Sequence, residues 1–441
     1  MESVTIPVFR KAKYVTLGCK LNFAETATIA KLMAQAGFVR AQEGEVPDVC
    51  VVNTCSVTSL ADRKCRQQIR ALVKRYPAAL MVVTGCYAQL QGEEVASIPG
   101  VEIVLGSEYK LDIVDYVERW FDDRERVLAV SRHKDMKRFS PSCERGDRTR
   151  YFLKVQDGCD CFCTYCTIPM ARGRSRCGTV ASLVAQARQV AAEGGREIVI
   201  TGVNIGDFGK HTGETLLDLL RALDAVEGIA RYRISSLEPD LLSDDIIEFV
   251  AASRAFMPHF HIPLQSGSDT VLRLMGRRYD SRLFADRVGQ IRQLLPDAFI
   301  GVDVMAGTRG ETPEYFEESY NFIASLDVQH LHVFPYSERP GTAALRIPYI
   351  VTKQEKEFRV ARLMELGRQK EQEFIARFLA SERPVLWEQP RAGARVMHGF
   401  TDNYLRVNAP ALTDVVNTIT PALLRTVNED LSIDALIPDR Q

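Results

Sequence analysis

The feature that most constrains the fold is an alternation of short, wholly apolar runs with longer amphipathic stretches. In the first part of the chain the runs "KYVTLG", "VCVVNT", "LMVVTG" and "VEIVLG" are separated by helical patterns. Continuous apolar strands of this kind suit a parallel sheet whose two faces are covered by helices. The pattern therefore predicts an α/β fold that begins with an open parallel sheet domain over residues 11–125.

The charged stretch "RHKDMKRFSPSCERGDRTR" interrupts this alternation and indicates a linker over residues 126–150. Six further strand patterns follow, each with a helical pattern after it: "YFLKVQDG", "REIVITG", "RYRISSLEP", "HFHIPLQ", "FIGVDVMAG" and "HLHVFPYS". Six βα units with right-handed crossovers predict a partial (β/α)6 barrel over residues 151–375. Short strand-like runs then predict a small antiparallel β-barrel over residues 380–440.

The composition gives no support for binding by bulk charge. Lys and Arg number 56 against 57 Asp and Glu, and residues 375–441 hold seven basic and eight acidic side chains. The sequence has no run of about 18 apolar residues and no secretory leader pattern, which predicts a cytoplasmic protein without membrane association. In that reducing compartment, clustered cysteines more often bind metal or take part in catalysis than form disulfides.

Four of the eleven cysteines fall within "GCDCFCTYC". Cys159, Cys163 and Cys166 have the spacing CxxxCxxC, and three thiolates from one loop can bind three irons of a cubic 4Fe-4S cluster and leave the fourth open. A structural zinc would need a fourth ligand, for which Cys161 is the candidate in the loop. In an extended loop, however, Cys161 would project away from its neighbours. The spacing therefore favours a cluster, with Cys161 as a bystander.

Three more cysteines share one position relative to predicted strands. Cys19, Cys55 and Cys86 each follow an apolar run, at the carboxyl edge where ligands of open α/β sheets bind. A single cysteine there would most simply be a buried core residue, but three in the same topological position predict a shared site. The other four cysteines are interpreted as structural or incidental: Cys50, Cys65, Cys143 and Cys177.

The cysteine loop, with Tyr165 before its last cysteine, resembles the radical S-adenosylmethionine (SAM) superfamily. With "TLGCKLNFAET", "VVNTCSVT", "VTGCYAQ", "ARGRSR", "HIPLQSGSDTVLRLMGRRY" and "FPYSERPGTAA", the chain resembles the methylthiotransferases along nearly its whole length. The variants "GCKLNFAET", "NTCSVT" and "ARGRSR" resemble the branch that acts on threonylcarbamoyladenosine beside the tRNA anticodon. The terminal "GFTDNYLRV" resembles the TRAM module, which such enzymes use on RNA.

This resemblance implies two 4Fe-4S clusters, with SAM as radical source and methyl donor. Cys159, Cys163 and Cys166 would hold the cluster that binds SAM, and Cys19, Cys55 and Cys86 an auxiliary cluster that delivers sulfur. Carbon-2 of threonylcarbamoyladenosine would lose a hydrogen to the radical and gain a methylthio group. The implied partners are tRNA and an electron donor such as flavodoxin or ferredoxin, and we expect the enzyme to act as a monomer.

Beyond the cluster ligands, the sequence identifies no catalytic residue and gives only candidates for binding. Strand ends at the barrel mouth and the last loop aromatic are expected to contact SAM: Tyr165, Thr201, Gly202, Asn204, Ser235, Glu238 and Gln265. Helix capping is the alternative for Ser235 and Glu238.

Arginines near the cysteine loop and near the predicted fifth strand are candidates for binding anions. Arg172, Arg174 and Arg176 of "ARGRSR" are expected to meet phosphate or the cofactor carboxylate. "GTRGET" stands where many relatives have Gly-Phe-Pro-Gly-Glu-Thr, which places Arg309 where it could reach the threonyl carboxylate. Basic residues of "RHKDMKR" and "MGRRY" are further candidates for phosphate contacts.

Three alternatives stay open at this point. The substrate could be isopentenyladenosine in tRNA or an aspartate of a ribosomal protein, because enzymes acting on these share the three-domain plan. A rival of another class is an RNA-binding protein in which the cysteines hold structural zinc and the terminal barrel binds the RNA.

Overall fold

The computed structural model describes residues 9–144, 149–391 and 393–438. The chain divides into two compact units. Among the described residues, the first unit holds 9–144, 157–160 and 167–176, and the second holds the remainder. No helix in this described part has both the length and the apolar character needed to cross a membrane.

A six-stranded parallel sheet in the order β2-β1-β3-β4-β5-β6 forms the centre of the first unit. Its strands are β1 (Lys11–Thr16), β2 (Val39–Arg40), β3 (Val49–Thr54), β4 (Leu80–Gly85), β5 (Ile103–Leu105) and β6 (Val127–Ala129). Its helices are α1 (Lys20–Gln35), α2 (Ser59–Arg75), α3 (Cys86–Leu90), α4 (Gly92–Ala96) and α5 (Ile113–Asp123). Every residue of β3 and β4 is buried, as expected for central strands covered on both faces. The predicted open parallel sheet is confirmed.

Part of the predicted linker, residues 126–150, belongs to this unit instead. Strand β6 pairs in parallel with β5 at the sheet edge, where its three residues are only partly buried or exposed. Its apolar run, residues 127–130, is only four residues long and comes just before the charged stretch, which is why it was assigned to the linker. Strand β7 (Ser142–Glu144) lies beside α1, and the Ser142 hydroxyl donates to the Ala24 carbonyl at 2.8 Å. Residues 145–148 of the predicted linker lie outside the described residues.

The segment with the cysteine loop begins with β8 (Tyr151–Lys154) and carries β9 (Gln156–Asp157), α6 (Ile168–Arg172) and β10 (Arg176–Cys177). The second unit continues with β11 (Glu197–Thr201), β12 (Arg231–Ile234), β13 (His259–Gln265), β14 (Phe299–Ala306) and β15 (His330–Pro335). Strands β8, β11 and β12 pair in parallel, as do β13, β14 and β15. Single parallel bridges, Tyr232 to Phe256 and Ser236 to His261, join the two groups. The six predicted strands therefore form the expected open barrel.

Helices follow the strands of this barrel as the sequence pattern predicted. They are α7 (Val180–Ala192), α8 (Leu216–Asp224), α9 (Asp244–Ala252), α10 (Asp269–Met275), α11 (Ser281–Leu294) and α12 (Pro313–Ser325). The long helix α13 (Lys353–Ala376) comes last, and the Thr352 side chain caps it by accepting from the Glu355 amide at 3.2 Å.

The terminal segment forms a closed barrel in the order β16-β17-β18-β20-β19. Its strands are β16 (Glu382–Trp387), β17 (Val396–Thr401), β18 (Arg406–Pro410), β19 (Ile419–Val427) and β20 (Ile433–Leu436). All its pairs are antiparallel except β18 with β20. Buried Arg231 and Arg233 of β12 donate to four of its backbone carbonyls at 2.7–2.9 Å. These bonds fix the small barrel against the (β/α)6 barrel within the second unit.

Candidate functional site

Three cysteines of the first unit come together at the carboxyl edge of its sheet, and we call them the strand-end triad: Cys19, Cys55 and Cys86. Cys19 caps α1 after β1, Cys55 follows β3, and Cys86 is the first residue of α3 after β4. Because β1, β3 and β4 are adjacent in the sheet, their ends bring the three sulfurs into one neighbourhood. The sequence-based prediction that these cysteines converge agrees with this placement.

Two glycines make the close approach possible. Gly18 has φ +118°, and a Cβ there would lie 2.8 Å from Cys55 Cβ and 3.1 Å from Cys55 Sγ. Gly85 has φ +99°, and a Cβ there would lie 2.4 Å from the Thr54 carbonyl oxygen. Both positions therefore exclude any side chain, on grounds of backbone conformation and of space. They let the turns that carry Cys19 and Cys86 pack directly against the end of β3.

The electrostatics of the strand-end triad favour a bound cation over free thiolates. The pKa of Cys55 is raised to about 12, mainly by burial and in smaller part by the nearby sulfurs of Cys86 and Cys19. Burial likewise raises the pKa of Cys86, an effect that the Arg172 guanidinium opposes. Thiols packed this closely lose their protons readily only when a metal replaces them. The donor set thus fits a thiolate-bound iron cluster.

Behind the strand-end triad lies a buried charge network centred on Arg172. Its guanidinium donates to Glu25 Oε1 at 2.9 Å, to Asp157 Oδ1 at 3.1 Å and to Asn22 Oδ1 at 2.7 Å. The Lys110 ammonium also binds Glu25. These side chains are almost fully buried. Arg172 and Lys110 therefore place positive charge close to Cys86, where it offsets the negative charge of thiolates.

The second cysteine set is the loop triad: Cys159, Cys163 and Cys166. The loop passes from the first unit to the second after Asp160. In the first unit the Cys159 amide donates to the Gly173 carbonyl at 3.1 Å. In the second, the Cys166 amide donates to the Cys163 carbonyl at 3.0 Å and forms a tight turn. Cys161, the predicted bystander, is instead 3.6 Å from the Asn204 side-chain amide, which donates to its sulfur.

Arg277, which follows α10, contacts the loop triad in the second unit. Its guanidinium donates to Cys163 Sγ at 3.2 Å and to the Tyr165 hydroxyl at 3.5 Å, and it forms an ion pair with Glu238. Burial raises the pKa of Cys163, and Arg277 opposes that shift. Burial also raises the pKa of Glu238 to about 7. The loop sulfur is thus held beside a fixed positive charge and a carboxyl group that titrates near neutrality.

Residues that the sequence predicted to bind SAM lie at the carboxyl ends of the barrel strands. Thr201 ends β11, and the turn after it is fixed by Gln156 Oε1, which accepts from the Val203 and Asn204 amides at 3.0 and 2.8 Å. Gln265 has φ +66°, at a shift in the β13–β14 register. Among the described residues, the buried oxygens without a hydrogen-bond partner include two that follow β11 and β12: Asn204 Oδ1 and Ser235 Oγ. Orphaned buried acceptors of this kind suit a polar ligand.

Comparison with known proteins shows the family to which the chain belongs. Residues 11–106 match the model of the "Uncharacterized protein family UPF0004", and residues 153–323 match that of the "Radical SAM superfamily". The chain is 39% identical to threonylcarbamoyladenosine tRNA methylthiotransferase MtaB of Bacillus subtilis, over 92% of this chain and 91% of that one. It is 34% identical to the protein of that name from Aquifex aeolicus, over 92% and 98%. The chain belongs to the radical SAM tRNA methylthiotransferase family.

Two further comparisons concern a methylthiotransferase relative with a different name and a solved structure with a similar fold. The tRNA-2-methylthio-N(6)-dimethylallyladenosine synthase of Thermobifida fusca is 34% identical over 84% of this chain and 76% of its own. Among solved structures, the radical SAM methyltransferase TsrM of Kitasatospora setae aligns with a TM-score of 0.56 at 15% identity, over 74% of this chain and 72% of that one. This second likeness supports the radical SAM fold alone.

The structure corrects the expected role of Arg172 in this methylthiotransferase. Its side chain is 2% exposed and bonded to two carboxylates, so it is not available to a phosphate or cofactor carboxylate. Arg176 donates to Asp157 and to backbone carbonyls. Arg174 is 66% exposed and pairs with Asp160 at 3.5 Å, so it alone of the three faces solvent.

Arg309 also has partners within the protein. Its guanidinium donates to Glu338 at 2.7 Å and to the Leu345 and Ile347 carbonyls at 2.8 and 3.1 Å. These bonds give no support to the expected contact with a threonyl carboxylate. The sequence analysis predicted phosphate contacts for Arg277 of "MGRRY" and did not predict its contact with the cysteine loop. Its contact with Cys163, 114 residues away, has no local signature.

Proposed function

We propose that the protein adds a methylthio group to carbon-2 of threonylcarbamoyladenosine in tRNA, using two 4Fe-4S clusters and SAM. The strand-end triad, Cys19, Cys55 and Cys86, would hold one cluster, and the loop triad, Cys159, Cys163 and Cys166, the other. When bound, these groups supply reductive cleavage of SAM and the sulfur that is transferred. The proposed setting is the cytoplasm, with a monomeric enzyme reduced by a donor of the flavodoxin or ferredoxin type.

One observation carries this proposal: the first unit assembles a second, partly buried cysteine triad in addition to the radical SAM loop. A radical SAM domain by itself indicates SAM cleavage and leaves the reaction open. The strand-end triad adds a thiolate site supported by the buried cations Arg172 and Lys110, which suits a second cluster. The identity of 39% to an enzyme named for threonylcarbamoyladenosine supports the choice of substrate.

The residues beside the loop triad have separable proposed roles. Glu238 and the unsatisfied oxygens of Asn204 and Ser235 would accept from the polar groups of SAM. Arg277 would hold Cys163 and Tyr165 in place through its bonds to both. The terminal barrel, which resembles a TRAM module, would contact the tRNA. Arg231 and Arg233 would keep that barrel in a fixed position relative to the second-unit site.

The substrate is tested by mass spectrometry of tRNA nucleosides from cells with and without this protein. We expect methylthio-threonylcarbamoyladenosine to disappear and methylthio-isopentenyladenosine to stay. Loss of the second nucleoside alone would assign the enzyme to the isopentenyladenosine branch. Unchanged tRNA nucleosides together with an unmodified ribosomal-protein aspartate would assign it to the protein-modifying branch.

The cofactors are tested by anaerobic reconstitution followed by iron, sulfide and zinc analysis. Two clusters require about eight irons and about eight sulfides per chain. About four irons would support a single cluster and overturn the proposal for one triad. Stoichiometric zinc without sulfide would instead support the alternative hypothesis of an RNA-binding protein whose cysteines hold structural zinc.

A further inference from the structure

A cluster of two histidines and one aspartate lies in the second unit and contains no cysteine. We call it the His–Asp–His cluster: His261 of β13, Asp303 of β14 and His332 of β15. His261 Nε2 is 2.8 Å from Asp303 Oδ1, and the rings of His261 and His332 have centroids 5.0 Å apart. One donor atom from each residue lies within 4.8 Å of the other two.

The strand register places these three side chains on one face of three adjacent strands. His261 pairs with Gly301, and Asp303, two residues further along β14, pairs with His332. Residues two apart in a strand point to the same face. Gly301 has no side chain to fill the space between the strands, and a Cβ there would be 3.9 Å from His332 Nε2. The His332 ring therefore lies over Gly301 of β14, on the same face as His261.

Asp303 of the cluster lies in an acidic region. With Asp207 and Asp240 it acts electrostatically on Glu238, against the cation Arg277, and Lys210 pairs with Asp207 at 3.8 Å. The side chains of His261 and Asp303 are each 19% exposed, and His332 is exposed. The donor atoms are thus accessible from solvent, in a region whose excess of carboxylates attracts cations.

We propose that His261, Asp303 and His332 bind a divalent transition-metal ion. Two imidazoles and one carboxylate on one face are the donor set of three-ligand sites for Zn²⁺, Fe²⁺ and similar ions, in which the remaining positions stay open. Metal–ligand distances of about 2.0–2.2 Å put two tetrahedral ligands about 3.3–3.6 Å apart, so His261 and Asp303, now 2.8 Å apart, would separate slightly and His332 would move toward them. Rotation of the exposed His332 ring can supply that movement. The site shares no ligand with the proposed iron–sulfur clusters, since none of its ligands is a cysteine.

The test uses the cluster-loaded protein, freed of loosely held metal by anaerobic gel filtration and titrated with Zn²⁺. We expect one Zn²⁺ per chain, with a zinc-edge X-ray absorption spectrum showing nitrogen and oxygen neighbours at about 2.0–2.1 Å. Asp303→Asn and His332→Gln should each weaken binding by at least about tenfold. The matched control is His330→Gln, since His330 lies two residues before His332 on the same strand, packs against its ring at 4.4 Å between centroids and binds Glu371 instead.

Three results would overturn the proposal. These are the absence of Zn²⁺ binding by the unmodified chain, sulfur neighbours at about 2.3 Å, and equal affinity in His332→Gln and His330→Gln. Because His332 is exposed at an edge strand, its variant is expected to fold and load clusters even if Asp303→Asn does not. The visible absorbance of the clusters checks this in each sample.

Discussion

The two cysteine triads differ in how the chain assembles them. The loop triad falls within a single short loop, and its spacing alone indicates its chemistry. The strand-end triad is gathered from positions 19, 55 and 86 by three adjacent strands, and it depends on two glycines and on a buried charge network. The ligands of a site of the first kind are brought together by the local chain itself. A site of the second kind is sensitive to substitutions at residues that are not ligands, and the experiments below test that contrast.

The largest expected effect comes from a ligand of the loop triad. Cys163→Ala should abolish 5′-deoxyadenosine formation and methylthiolation together, because SAM would no longer meet a properly held cluster. The loss should extend to about half of the iron. Both products are measured by liquid chromatography with mass spectrometry after anaerobic turnover. Continued SAM cleavage in this variant would contradict the assignment of the loop.

Substitution of a residue that is not a ligand should remove the iron bound by the strand-end triad. Gly85→Ala forces a Cβ to within 2.4 Å of the Thr54 carbonyl at φ +99°. We expect about four of eight irons to disappear and methylthiolation to stop, while 5′-deoxyadenosine still forms. The control is Gly37→Ala, at φ +88° with no atom within 4 Å of the new Cβ. It carries similar backbone strain and should keep all the iron. Equal iron in both variants would refute the sensitivity claimed for this site.

The buried network should matter for the stability of the first unit. Arg172→Met leaves the Glu25 and Asp157 carboxylates without their shared guanidinium, a loss of about 3–5 kcal/mol for a broken buried ion pair. Amide hydrogen exchange of α1 and α6, read by mass spectrometry, reports this local free energy. Exposed Arg174 gives the control, because Arg174→Met should change the local free energy of unfolding by less than about 0.5 kcal/mol. Equal protection in the two variants would contradict the structural role of Arg172.

The smallest expected effect is a pH dependence at the loop triad. The pKa of Glu238 is raised to about 7, so the carboxyl is mostly protonated at pH 6 and mostly ionised at pH 8. If the carboxylate accepts from the cationic amine of SAM, the KM for SAM should fall about tenfold between these pH values. Glu238→Gln should remove the slope. A slope that persists in this variant would assign the titration to another group.

Local patterns predicted the strands of both units and the terminal barrel because continuous apolar runs and helical periodicity lie within single segments. The pattern missed four short strands of two or three residues: β2, β6, β7 and β10. It also could not predict contacts between distant positions. Arg172 binds Glu25, which is 147 residues away in the sequence. Pairing of the "ARGRSR" arginines with carboxylates therefore cannot be predicted from the local sequence.

The strand-end triad is an instructive intermediate case. Its cysteines could be grouped from sequence since each follows an apolar strand, and parallel strands end at one edge. What keeps them together could not be anticipated. That Gly18 and Gly85 leave no space for a side chain beside Cys55 and Thr54 depends on the packing of neighbouring strands. The roles of Arg277 and of the His–Asp–His cluster depend in the same way on tertiary structure.

The most direct test of the difference between the triads is the turnover of Cys55→Ala. 5′-Deoxyadenosine and methylthiolated tRNA are measured from the same anaerobic reaction, beside the unmodified enzyme. If the strand-end triad serves sulfur transfer and the loop triad serves SAM cleavage, 5′-deoxyadenosine will still form and methylthiolated tRNA will be absent. Loss of both products from a variant that keeps the loop-triad iron would show that the two triads are not functionally distinct.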